Sequence, residues 1–389
     1  MNALPTISRR ARWVIPAGAV ALAAAVTAAT MISTAQASPE LPLRTPAQLL
    51  ASVAGRDTPP PPLTGTVVET ASLGIPQLPG SSNPNSIAAL LAGSHTIKVW
   101  YADPQHIRLA VPVTLSETDL IRNGRQVSVW QSSSNTVTRM QLPAKSSQAD
   151  THASPVPSSV PLTPQQAASQ ALKAVGPSTR VSVERNVTVA GQPAYQLVLS
   201  PKASGSLIGR VSIAIDATRN VPLRVQVFAR GATSPALQVG YTSVSFVKPA
   251  AANFSFATPS GAKVKVVSPP KDTSAQGKKA SGAPQVIGQD WLSVAVLPSS
   301  ALAGVMGSGS AAGAAAQSAA GGSGGSGGSG QDAAIAGALL KSATPVHGAW
   351  GSGKLLHTSL VSVLMTDNGH VLVGAVTPAV LYRAAAQVK

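Results

Sequence analysis

The chain reads as an α+β protein: a curved, antiparallel sheet with short covering helices, followed by a small α+β domain. Three observations predict this. From residue 63 to 268 apolar and polar residues alternate, the period of two that turns one strand face to a core and the other to water. Tight turn signals separate these stretches, chief among them Asn123-Gly124, where both positions tolerate positive φ. Few helix patterns fall between the strands, so strand follows strand by short connections, which favours antiparallel pairing.

The elements follow in order. Arg9, Arg10 and Arg12 precede Trp13 to Ile32, an uncharged Ala/Val-rich run, and then Ala35-Gln36-Ala37. Residues 1–37 read as a secretory signal cleaved after Ala37; a run of that length also spans a bilayer, so an uncleaved N-terminal anchor is the alternative. Either way the chain is exported and extracytoplasmic, secreted or N-terminally anchored. Thr45-Pro46-Ala47-Gln48 and Thr163-Pro164-Gln165-Gln166 each set Thr at a helix cap and Gln three residues on, predicting helices that end near Gly55 and Gly176. A third helix is expected over 86–92, with Ile87, Leu90 and Leu91 at helical spacing before Gly93. Strands are expected over 97–101, 107–111, 120–122, 127–130, 181–190, 194–200, 210–216, 222–229 and 237–247. Residues 38–268 thus form the larger, sheet-bearing domain, 269–284 a basic linker and 285–389 a small domain interrupted by a Gly/Ser-rich insertion, 307–330. In that last unit 286–297 reads as a strand, 332–341 as a helix, 355–365 as a strand paired with 371–376 across Asp367-Asn368-Gly369, and 379–387 as a closing helix.

Composition narrows function. The chain has no Cys, which excludes disulfide frameworks, thiol nucleophiles and thiolate metal sites. It carries 29 Lys and Arg against 13 Asp and Glu; without the three arginines before Trp13 the balance is 26 to 13, formally +13. Such a surface is drawn to polyanions. With 5 Trp, 4 Tyr and 4 Phe there are few platforms on which single-stranded bases stack, so an anionic membrane or envelope surface is expected as a partner, and no nucleic acid. Arg108, Arg122 and Arg125 are assigned by their alternation to a solvated outer face.

No catalytic constellation survives scrutiny, and no enzyme activity is expected. Gly321-Gly322-Ser323-Gly324-Gly325 matches a nucleophile elbow only formally, inside a Gly-Ser repeat with no strand before it. The Gly348 to Lys354 stretch spells a phosphate loop, but Leu355 stands where a hydroxyl should hold magnesium. Glu117 and Asp119 read as a solvated rim, and His95, His106, His152, His347, His357 and His370 lack ligand spacing. No cofactor and no metal is expected.

A curved sheet with one apolar face encloses either a packed core or a ligand cavity, and the alternation alone leaves both open. Val99-Trp100-Tyr101-Ala102-Asp103-Pro104, then 107–109 and Asp119 to Val127, resemble the strand, Pro-turn, strand and Asn-Gly meander of LolA-type lipoprotein carriers; Asn253 to Val264 is similar to the closing segment of the same superfamily. The order Gly353-Lys354-Leu355-Leu356-His357-Thr358 and then Val373 to Pro378 resembles the C-terminal domain of RseB/MucB regulators. The resemblance implies a LolA-like unclosed half β-barrel over residues 38–268, its concave apolar face a cavity holding acyl chains of a lipid or lipoprotein, in a non-enzymatic carrier or receptor. The rival it implies is an envelope-stress regulator that binds a membrane regulatory protein, an anti-sigma factor. The cavity would be lined by Leu49, Leu50, Val53, Ile87, Leu90 and Leu91 from the helices. From the strands it would take Val99, Tyr101, Ile107, Leu109, Val127, Val129, Leu197, Leu199, Val211, Ile213, Ile215, Val225 and Val227. One departure is noted: those carriers have a basic residue before the turn proline, where this chain has Asp103.

Overall fold

A computed structural model describes residues 39–54, 59–74, 92–113, 115–142, 162–173, 175–267, 285–298 and 342–388. The expected signal or anchor, the helix over 86–91, the basic linker, the Gly/Ser insertion and the helix over 332–341 lie outside the described residues. Both sheets described below belong to one unit, Pro39–Lys389.

The larger sheet has twelve strands. In chain order they are β1 (Leu63–Ser72), β2 (Ala92–Asp103), β3 (His106–Val113), β4 (Ser116–Asn123), β5 (Gln126–Gln131), β6 (Thr136–Gln141), β7 (Thr179–Val189), β8 (Gln192–Pro201), β9 (Ile208–Asp216), β10 (Pro222–Ala229), β11 (Leu237–Ser245) and β12 (Lys263–Val267). They lie side by side as β12-β6-β5-β4-β3-β2-β1-β11-β10-β9-β8-β7, an open sheet whose two edges do not pair. It curls enough to bring edge strand β7 against β11, four places away. All neighbours are antiparallel except β12, which runs parallel to β6. The closing segment returns across the sheet and adds this one parallel strand at the β6 edge. Ala92, expected in a helix, opens β2.

Register sets the faces. Tyr101, Val99 and Ile97 lie opposite Leu63, Gly65 and Val67, and Ile107 and Leu109 continue that row in β3. On the other side Val67 faces Tyr241, Val225 faces both Val239 and Ile213, and Leu197 faces Ile213. Because successive side chains alternate, these residues share one sheet face across the strands. Gly65 is needed in that row: a Cβ there would stand 2.8 Å from the Tyr241 ring and 2.6 Å from the Ser243 carbonyl.

Two helices lie on this face, α1 (Pro46–Ala54) and α2 (Pro164–Lys173), and they begin where the caps predict. Gln48 Oε1 accepts the Thr45 N–H at 2.8 Å while Thr45 Oγ1 accepts the Gln48 N–H at 3.2 Å; Thr163 and Gln166 repeat the exchange at 2.9 and 3.4 Å. The opposite face of β3 and β4 is covered by a short 3₁₀ turn, Ala251–Phe254. There the Phe254 ring stands edge-on to His106 and Phe256 packs against Trp130.

The smaller sheet runs β13-β14-β18-β17-β16-β15, with β13 (Gln285–Ile287), β14 (Val294–Pro298), β15 (Thr344–Gly348), β16 (Gly351–His357), β17 (Ser362–Thr366) and β18 (His370–Gly374), and α3 (Pro378–Ala385) packs on it. Two expected strands are each divided. Within 286–297 the chain turns at Gly288 and Asp290, both at positive φ, so that β13 folds back on β14. Within 355–365 a turn closed by Thr358 and Val361 separates β16 from β17. Gly348 and Gly351 bound the β15–β16 hairpin turn, which removes the phosphate-loop geometry.

Segments flanking the two sheets are hydrogen-bonded to each other. The Leu207 N–H donates to the Ala375 carbonyl at 2.9 Å, the Thr377 N–H to that of Gly205 at 2.8 Å, and the Ser359 N–H to that of Leu73 at 3.0 Å. Gly205 makes this approach close: a Cβ there would lie 2.7 Å from Val380.

Candidate functional site

Between α2, the β9–β11 part of the apolar face and the start of the smaller sheet lies a cavity of about 320 Å³ with an open mouth. That is at the lower end of the ~300–1,000 Å³ range of small-ligand sites. Its floor is Val211, Val225, Val227, Leu237 and Val239. Its roof is Ala167, Gln170 and Ala171, at i, i+3 and i+4 on one side of α2. Leu162 and Ile208 flank it, and Asp290, Trp291, Ser293 and Ala375 close the side nearest the smaller sheet. Trp291 is buried, its Nε1–H donating to Thr179 Oγ1 at 2.7 Å, and the Ser178 hydroxyl bonds Asp290 at 2.8 Å. The wall is therefore anchored rather than merely adjacent.

The expected lining residues divide into groups. Val211, Val225 and Val227 line the cavity. Leu49, Leu197, Leu199, Ile213 and Ile215 are fully buried, packed with Ala168 and Tyr195 into one cluster, with Leu50 and Val53 at its edge. Val99 and Leu109 belong to a second cluster with Leu63, Val67 and Tyr241, joined at its margin by Tyr101, Ile107 and Val129. Val127 is buried on the same sheet face, opposite Arg122. Ile87, Leu90 and Leu91 lie outside the described residues.

Leu162, Ala167, Gln170, Ala171, Ile208, Leu237, Val239 and the Asp290–Ser293 segment are not among the expected lining residues. Leu237 and Val239 carry an alternation signal; the roof and Trp291 carry none, because their place depends on which elements meet.

One charged group lies on the apolar face. Along β1 the inward positions are Leu63, Gly65, Val67, Glu69 and Ala71, and Glu69 takes an apolar slot at 8% exposure. It is directly opposite Val239 on one side and His95 on the other. Burial pushes its carboxyl above the usual range, opposed by the nearby His95 imidazole and by a hydrogen bond from the Leu162 backbone. Oε2 has no hydrogen-bond partner among the described residues.

Arg125 and Glu117 are exposed as expected, but the assignments of Arg108, Arg122 and Asp119 need correction. Arg108 is not a solvated residue: its guanidinium stacks over Trp100 and meets Asp119 at 2.5 Å, a carboxylate only 5% exposed. Asp119 is thus a buried ion-pair partner rather than a rim acid, because strands β3 and β4 are covered on that face too. Burial raises its carboxyl to about 6, against the pull of Arg108 and with the help of Glu117. Arg122 shares the apolar face by register and bonds the Gly124 carbonyl at its rim. Asp103 has a local role: its carboxylate accepts from the Gln105 N–H at 2.8 Å and faces His106 Nδ1 at 2.9 Å, closing the β2–β3 turn. Among the described residues no group of three His, Cys, Asp or Glu side chains could hold a metal, and no helix is long and apolar enough to cross a membrane.

No family model and no curated protein sequence matches the chain. Solved structures similar to it include MucB complexed with MucA from Pseudomonas aeruginosa, at 15% identity and a TM-score of 0.40, covering 87% of this chain and 96% of that one. An uncharacterised conserved protein from Thermus thermophilus is 12% identical with a TM-score of 0.31, covering 57% of this chain and 98% of that one. A LolA-superfamily protein from Nitrosomonas europaea is 10% identical with a TM-score of 0.22, covering 55% of this chain and 99% of that one.

Proposed function

We propose that this protein is an extracytoplasmic, non-enzymatic binder of an acylated ligand, a lipid or lipoprotein, which it holds by a hydrocarbon chain as carrier or receptor. The observation that carries this reading is the cavity itself: apolar side chains of β9–β11 on one side, two alanines and Gln170 of α2 on the other, and an open mouth. Burying methylenes there is favourable by ~0.8 kcal/mol each, so a chain segment of several carbons binds without any polar contact. The basic composition suits an anionic membrane or envelope surface from which such a ligand would be collected.

A regulator that also binds a membrane protein is the second reading, and one observation favours it. The cavity wall is shared between the large sheet and two connections of the smaller one, the β13–β14 turn and the residue after β18, so an occupant touches both. Native mass spectrometry of the protein purified from the cells that make it separates these readings from a filled core. A released acyl mass at near-stoichiometric occupancy is expected. Protein of bare polypeptide mass, which also fails to take up a C14 alcohol, contradicts both.

A further inference from the structure

The two described sheets have four edges, and three are blunted against further pairing. Edge strand β7 is bulged between Glu184 and Val187 and curls back against β11. Edge strand β15 carries Pro345, which has no N–H to offer, and β13 is three residues long. The fourth edge, β12, has five residues, no proline and no bulge, and all five are exposed. The Lys263 N–H donates to the Asn135 carbonyl at 2.9 Å, so in this parallel pairing Lys263, Lys265 and Val267 direct their backbone groups at β6. Those of Val264 and Val266 point the other way, to an edge that no described strand occupies. The side chains of these two valines share one sheet face, 46% and 81% exposed, and the two lysines share the other. Neither Asp nor Glu occurs between Gln126 and Gln141 or between Ala251 and Val267.

We propose that β12 is a docking edge for an extended segment of another protein, which adds to the sheet as a further strand and alternates β-branched with acidic side chains. Its backbone pairs with the outward groups of Val264 and Val266; its apolar residues lie beside those valines and its carboxylates beside Lys263 and Lys265. The lysines choose among occupants. A second copy of this chain, pairing antiparallel through the same strand, brings the lysines of both copies onto one face, where like charges repel, whereas an acidic strand meets opposite charge there. The inference is independent of the cavity, none of whose lining residues is in β12 or β6.

The test is fluorescence polarisation of a fluorescein-labelled peptide of three Glu-Val repeats titrated with the full chain. The controls are a Lys-Val peptide of the same length and a Glu-Val peptide methylated at every backbone nitrogen, which keeps the charge and loses the donors. The Glu-Val peptide is expected to bind saturably and at least tenfold tighter than either control. Val266→Pro removes an outward N–H that β6 does not use, so the urea transition should hold while binding falls at least tenfold. Reversing both lysines, Lys263→Glu with Lys265→Glu, should transfer the preference to the Lys-Val peptide. Equal binding of the methylated peptide, binding that survives Val266→Pro, or a preference that survives the double reversal overturns the inference. So does the absence of saturable peptide binding; if phosphatidylglycerol vesicles then sediment the wild type and not the charge-reversed variant, the strand belongs to a membrane surface instead.

Discussion

Helices α1 and α2 cover the same sheet face and treat it differently. Under α1, Leu49 reaches the sheet and is wholly enclosed among Leu197, Leu199, Ile213 and Ile215. Under α2, Ala168 joins the same cluster, but the neighbouring Ala167, Gln170 and Ala171 leave a cavity of about 320 Å³ over β9–β11. The strand residues below are Val, Leu and Ile in both places. What differs is the cover: under α1 Leu49 seats against the sheet, while over β9–β11 two alanines and Gln170 of α2 leave a space unfilled.

The comparison breaks most severely at Ile213→Asp. This places an unpaired carboxylate in the filled half, where no cavity or solvent can receive it, and is expected to cost more than ~4 kcal/mol, read as loss of the cooperative urea transition. A variant that folds with near wild-type stability would mean that the α1 half is hollow as well.

Asp119 tests the opposite face of the same sheet. Its folded carboxyl titrates at about 6 and the unfolded one near 3.8, so its contribution to stability is complete below pH 4 and lost as pH rises through 6. The wild type should lose on the order of 2 kcal/mol between pH 4.5 and 7.5 from this group, and Asp119→Asn should flatten that slope in urea titrations at the two pH values. An identical slope in the variant would show that the Arg108 pair, not burial, sets the protonation.

Ala171→Phe sharpens the contrast by giving α2 the reach that α1 already has. Because the added ring enters existing space, thermal stability should hold, while displacement of the fluorescent probe N-phenyl-1-naphthylamine by tetradecanol should weaken at least tenfold, about 1.4 kcal/mol. The smallest effect is expected at the caps: Thr45→Ala removes the acceptor for the Gln48 N–H and should cost about 1 kcal/mol in denaturant unfolding, with no change in probe binding.

Much of this architecture is legible in the chain itself. The capped starts of α1 and α2 and the inward phase of β2, β3, β5, β8, β9 and β10 follow from local patterns that tertiary contacts reinforce. The misread strands, 286–297 and 355–365, are apolar runs whose turns lie at Gly288-Gln289-Asp290 and Thr358 to Val361, too few residues to disturb the apparent period. Glu69 stands out as an acid in an apolar phase only once the neighbours of β1 are known. The cavity is not legible, because it exists only where α2 fails to fill a space and Trp291 arrives to wall it, 112 residues from the Thr179 it bonds. Local sequence specifies faces; voids come from the fit between faces.

Trp291 also supplies the most direct test of the central claim, since its ring forms part of the cavity wall. A C14 chain brominated along its length should quench the tryptophan emission saturably, and Trp291→Phe should abolish the saturable part while a non-brominated chain still competes with N-phenyl-1-naphthylamine in that variant. Saturable quenching that persists without Trp291, or none in the wild type, would contradict the proposal that a hydrocarbon chain occupies this space.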